Sequence, residues 1–223
     1  MKWLLLLLLA CTCGAQHFGL LDAVTVAKPP STAAAPAAYL VVQNFESVTN
    51  QWTESAATIN QQFATNNMEG SQSCLLPYGN FAYAHTNVTG ADEYYGFFMV
   101  RFLDTGNYSY AEIGVIGVAD MATIGNYGTS WRVSHGTVST TGGTITDGAL
   151  YYVWWHWVKS TGTDGVLELW VSSNTTKPGS TTLSIANGNG ASQPDICSVQ
   201  AANNTAVFDK FRVSASVIGS NPD

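Results

Sequence analysis

From Tyr39 onward, short runs of β-branched and aromatic residues alternate with breaks built from Gly, Asn, Asp and Ser, and no stretch repeats its apolar residues at the 3.6-residue spacing of an amphipathic helix. This is the pattern of antiparallel β-structure. It predicts strands over 39–46, 57–63, 71–76, 81–85, 94–103, 109–119, 130–134, 150–160, 166–172, 181–186, 196–201 and 205–214, with no helix longer than a turn or two. So many strands exceed what a seven-strand immunoglobulin-like sandwich needs and suit a larger jelly roll. The expected fold class is all-β, a two-sheet antiparallel jelly-roll sandwich.

One hairpin is legible to the level of faces. Residues 151–160 turn through Thr161-Gly162-Thr163-Asp164-Gly165 into 166–172. Placing Ser160 opposite Val166 pairs Trp157 with Leu169 and Trp155 with Val171. Side chains alternate along a strand, so Val153, Trp155, Trp157, Leu167, Leu169 and Val171 share an apolar face that is broken only by Lys159. The other face carries Trp154, His156 and Val158 against Ser172, Trp170 and Glu168. The same alternation buries Phe98, Val100 and Phe102 and turns Arg101 out; it buries Ala111, Ile113 and Val115 and turns Tyr110 and Glu112 out. These strands are expected to contribute to one aromatic and polar face.

The N-terminus changes the picture. Met1-Lys2-Trp3, six leucines from Leu4 to Leu9, and the small-residue stretch to Ala15 have the layout of a secretory signal over residues 1–15. The apolar run is too short to span a bilayer. Leu8-Leu9-Ala10-Cys11 loosely resembles a lipobox, so lipid anchoring at Cys11 is the alternative to free secretion. Residues 16–38, with Lys28-Pro29-Pro30 and an Ala/Pro tract, read as a leader or linker. The domain then runs over 39–214 and a tail over 215–223.

Composition narrows the partners. Only 10% of the 223 residues are charged and the net charge is −7, which argues against nucleic acid and anionic lipid and is compatible with neutral sugars or cationic surfaces. With Cys11 and Cys13 in the presumed signal, Cys74 and Cys197 are the remaining pair. A disulfide is expected between them in an oxidising compartment, the alternative being two buried free thiols. Sequons at Asn87, Asn107, Asn174 and Asn203 mark loops expected to be exposed.

Asn44-Phe45-Glu46, Glu69-Gly70-Ser71, the Trp-His hairpin and the closing Phe208-Asp209-Lys210-Phe211-Arg212-Val213 occur in the order found in the concanavalin A-like lectin/glucanase superfamily, which residues 39–214 resemble. The resemblance implies two curved sheets whose concave face often binds glycans. The paired-carboxylate strand of its laminarinase-type hydrolases and the Arg-x-Glu-x-Arg and Gln-x-His signatures of its alginate lyases are absent here. No residue is therefore assigned a catalytic role. Relatives often hold a structural calcium near positions matching Glu46 and Asp209, but two carboxylates fall short of the six to eight oxygens the ion takes. No cofactor is required and no metal ligand set is assigned.

The expected ligand-binding residues are Trp154 and Trp170, whose indoles suit the C–H faces of sugars, with His156, Glu168, Glu112, Arg101 and Tyr110 as hydrogen-bonding partners. The bland alternative is that loops or the leader cover the two indoles as a secondary core. The leading expectation is a secreted glycan- or polysaccharide-binding module. The alternatives are a polysaccharide hydrolase or lyase of the same fold, or a structural or adhesive surface protein.

Overall fold

The structure is a computed structural model and describes residues 39–47, 52–54, 59–65, 68–78, 82–105, 108–114, 121–202, 204–220 and 222. The expected signal and leader, residues 57–58, 81 and 115–119 of expected strands, and the sequons at Asn107 and Asn203 lie outside them. The strands are β1 (Tyr39–Gln43), β2 (Thr53–Glu54), β3 (Asn60–Phe63), β4 (Ser73–Leu76), β5 (Ala82–Asn87), β6 (Glu93–Phe102), β7 (Tyr108–Gly114), β8 (Ala122–Tyr127), β9 (Ser130–His135), β10 (Val138–Thr144), β11 (Leu150–Val158), β12 (Gly165–Ser172), β13 (Leu183–Gly188), β14 (Ile196–Ala202) and β15 (Ala206–Ser214). No helix occurs among the described residues.

All pairings are antiparallel, and they make two sheets. The first has eight strands in the order β13-β12-β11-β6-β15-β4-β3, with β1 also on β15; the second has seven, in the order β10-β9-β8-β7-β14-β5-β2. Their inward faces meet in one apolar core. There Trp155, Trp157 and Phe98 of the first sheet share a cluster with Ile113, Ile124, Trp131 and Val199 of the second. This is a two-sheet jelly-roll sandwich.

Three strands escape the sequence pattern. β2 is two residues long, β8 contains Gly125-Asn126, and β10 ends in Gly142-Gly143-Thr144. Turn-forming residues hide β8 and β10, which are held by pairing with β9 rather than by their own propensity.

Two further expectations are corrected. The β11–β12 register is displaced by two residues, so that Trp157 lies opposite Leu167, Trp155 opposite Leu169, His156 opposite Glu168 and Trp154 opposite Trp170. A shift of two preserves which face each side chain takes, so the core assignment stands. The turn is longer than assumed: Lys159 leaves the strand and pairs with Asp92. The Cys74–Cys197 bridge is not formed. Both are free thiols, buried on the core sides of opposite sheets in β4 and β14. Burial pushes both thiols up, so they behave as small apolar core groups.

Strand β15 shows how a broken alternation is accommodated. Phe208 and Phe211 are three residues apart yet both face the core, each packing against Phe98 at 5.8 and 6.0 Å between ring centroids. A bulge between Asp209 and Arg212 inserts the extra residue, and Lys210 takes a left-handed φ of 47°. The edge of β15 opposite β6 is shared, its first part pairing with β4 and its last with β1.

A buried histidine ties the sheets together. His135 of β9 directs Nε2 to the carbonyl of Val158 on β11 at 2.8 Å, and its Nδ1 accepts the Gly190 amide at 3.1 Å. That pairing fixes the proton on Nε2. Glycine is required beside it, because a Cβ on Gly188 would lie 2.3 Å from His135 Cγ.

Candidate functional site

The outer face of the eight-stranded sheet holds five of the seven expected ligand residues. Trp154 is 1% exposed and packs with Phe97, Met99 and Ile218, while its Nε1 donates to the Gly219 carbonyl at 3.1 Å. The chain following β15 thus covers this indole. Trp170 is half-buried, with the Lys177 ammonium 3.7 Å from its ring centroid.

His156 lies parallel to the Tyr95 ring at 4.4 Å, with Nδ1 2.9 Å from Glu168 Oε2 and Nε2 2.8 Å from Glu93 Oε1. Tyr95 also donates to Glu93, and these two hydrogen bonds hold the Glu93 carboxyl below the usual range. Arg101 lies across from Leu150 and Val207 on the same face. The hydrogen-bonding groups of Trp154, His156 and Glu168 are therefore engaged within the protein.

Tyr110 and Glu112 stand on the opposite surface of the sandwich. The expected single face is two faces, because β7 belongs to the seven-stranded sheet. Here the register aligns two polar rows. One runs Thr53, His85, Ser198, Glu112, Thr123, Ser134 and ends at Ser139; the next runs Gln200, Tyr110, Gly125, Arg132 and ends at Thr141. Neighbouring strands are about 4.8 Å apart, so each row offers polar groups at regular short intervals.

The centre of this face is a hydrogen-bonded chain. The Tyr110 hydroxyl donates to Gln200 Oε1 at 3.0 Å, Gln200 Nε2 donates to Glu112 Oε2, and Ser198 Oγ donates to the same oxygen at 3.2 Å. Glu112 is 5% exposed, and its Oε2 accepts from the Ser198 hydroxyl and the Gln200 amide at the centre of the sheet face. His85 lies across from Ser198. Tyr110 and Gln200 are half-buried and reach the surface of this face, with Glu112 and Ser198 buried beneath them, and a phenol ring beside an amide suits the C–H faces and hydroxyls of sugars.

The sequence pattern did not single out His85, Ser198, Gln200 or Arg132. The signal was available: 130–135 and 196–202 alternate polar and apolar residues, which turns Arg132, Ser198 and Gln200 outward.

Glu46 and Asp209 do converge, lining a cavity of about 170 Å³ with Asn44, Glu69, Gly70 and Lys210. Glu46 accepts from the Ser71 and Gln72 amides and the Ser71 hydroxyl, and Lys210 Nζ pairs with Glu69 at 2.9 Å. Burial raises the Asp209 carboxyl to about 6. Lys210 supplies positive charge beside these carboxylates. Among the described residues no group of three His, Cys, Asp or Glu is arranged to hold a metal.

No protein-family model and no curated protein matches the sequence. Solved structures match the fold. An endo-β-1,4-glucuronan lyase from the fungus Trichoderma reesei aligns with TM-score 0.58 at 10% identity, over 83% of this chain and 99% of that one. An alginate lyase from Aplysia kurodai aligns with TM-score 0.55 at 8% identity, over 81% of this chain and all of that one. The binding domain of botulinum neurotoxin serotype D gives TM-score 0.55 at 8% identity, over 82% of this chain and half of that one. At these identities the likeness is one of fold.

Proposed function

We propose that this is an exported polysaccharide-binding protein whose ligand lies on the outer face of the seven-stranded sheet. The observation that carries the reading is the Tyr110–Gln200–Glu112–Ser198 chain, a fixed set of polar groups next to an aromatic ring at the centre of that face. The fold likeness to lyases that act on glucuronan and alginate supports it by analogy. Export follows from the signal layout of residues 1–15. No helix among the described residues is long and apolar enough to cross a membrane.

A second reading, a polysaccharide lyase, is favoured by His85 and Tyr110. They stand in adjacent rows of the same face, one strand to either side of β14. An imidazole and a phenol flanking a sugar ring supply a base for the proton beside a uronate carboxylate and an acid for the departing glycosidic oxygen.

Retention on polysaccharide gels tests binding. Tyr110→Ala and Glu112→Gln are expected to lose retention while keeping the wild-type unfolding temperature to within a few degrees. Ultraviolet absorbance of an unsaturated uronate product, lost in His85→Ala, would mark the lyase. Absence of retention on every polysaccharide would overturn the proposal.

A further inference from the structure

On the outer face of the seven-stranded sheet, two described side chains carry formal charge in the central rows, Glu112 and Arg132, and they are treated differently. Glu112 is sunk to 5% exposure beneath Gln200 and Ser198. Arg132 is half-buried, and none of the ion pairs among the described residues includes it. Its guanidinium carbon lies 5.4 Å from the Tyr127 ring centroid, a terminal nitrogen donates to Ser139 Oγ at 3.4 Å, and its buried Nε meets no acceptor. An arginine fork beside an aromatic ring, with no ion-pair partner among the described residues, is a donor set suited to an oxyanion.

The register places this cation in the row of the central chain. Gly125 lies between Tyr110 on one side and Arg132 on the other. A side chain is not tolerated there, because an added Cβ would be 2.5 Å from Tyr110 Cβ. The absence of a side chain leaves the sheet surface low between the phenol and the guanidinium. Tyr110 itself leans the other way, its hydroxyl bonded to Gln200.

We propose that Arg132 recognises an acidic group on the ligand, and that the ligand is an acidic polysaccharide. A carboxylate or sulfate oxygen is taken by the guanidinium, and the ring that bears it rests over Gly125 against Tyr110. This rests on the reading that the outer face of the seven-stranded sheet binds polysaccharide. It adds the charge class of the sugar and names the residue that selects it. The −7 net charge of the chain opposes such a ligand at long range, so the contact depends on the local fork.

Affinity electrophoresis through gels containing polygalacturonate, dextran sulfate or neutral dextran tests it, with wild type, Arg132→Met, Arg132→Lys and Tyr110→Ala confirmed as folded by circular dichroism. Retardation is expected in one or both acidic gels and not in dextran, and which acidic gel retards separates carboxylate from sulfate recognition. Arg132→Met is expected to weaken it at least about tenfold, and Arg132→Lys by less. Equal retardation in dextran, or an Arg132→Met variant that migrates like wild type while Tyr110→Ala does not, overturns the acidic ligand and leaves the binding face in place. Retardation unchanged in both Arg132→Met and Tyr110→Ala, or none in any gel, overturns the inference and the binding face together.

Discussion

The indole nitrogen of Trp154 donates to the carbonyl of Gly219, 65 residues further along the chain, and Ile218 sits buried beside the same ring. A face that alternation marks as outward is thereby turned into a second, smaller core. A chain ending at Ser214 is expected to show red-shifted tryptophan emission. Ile218→Ala, which removes a buried branched side chain at the margin of the fold, is expected to lower stability by about 2 kcal/mol in denaturant unfolding. Unchanged emission in the shortened chain would contradict the covering role of the tail.

Cys74 and Cys197 are expected to resist alkylation in the native protein and to react fully once the chain is unfolded without reductant, because burial shields both thiols. Peptide mapping by mass spectrometry reads each site separately. A linked Cys74–Cys197 peptide would contradict the structure.

Asp209 gives stability an uncommon pH dependence. Burial raises its carboxyl from 3.8 to about 6, so between those values the folded chain holds a proton that the unfolded chain releases. Its contribution is complete below about pH 4 and is lost as pH rises through 6. The stability of wild type relative to Asp209→Asn is expected to fall across this window by an amount on the order of 3 kcal/mol. A difference that is flat with pH would contradict it.

His135 joins the sheets through Val158 O and Gly190 N. His135→Ala removes a buried ring and leaves a buried acceptor and donor unmatched, and it is expected to destabilise the fold by about 3 kcal/mol. Gly188→Ala is expected to destabilise as well, since its methyl group would meet the imidazole. Calorimetric melting of both variants checks this, and wild-type melting of either would contradict it.

Local alternation carried the strand assignments and the inward faces, because each depends on neighbouring residues alone. Trp155 and Trp157 point inward for that reason, and a two-residue error in the β11–β12 register left them there. What alternation does not carry is which sheet a strand joins. Arg101 in β6 and Glu112 in β7 follow one another along the chain and both point outward, yet strand order puts them on opposite surfaces. Nor does it show that a later segment will fold back over Trp154. The Phe208–Phe211 spacing was a visible irregularity, and its resolution by the Lys210 bulge depends on the partner Phe98.

The proposed polysaccharide site lies on the outer face of the seven-stranded sheet and not on that of the eight-stranded one. Amide hydrogen exchange of the full chain, with and without the polysaccharide that retards it most, distinguishes them residue by residue. Slowed exchange is expected in β7, β8 and β14 around Tyr110, Gly125 and Gln200, with β11 and β12 unchanged. Protection of β11 and β12 around His156 and Trp170, with none in β7, β8 and β14, would contradict the account.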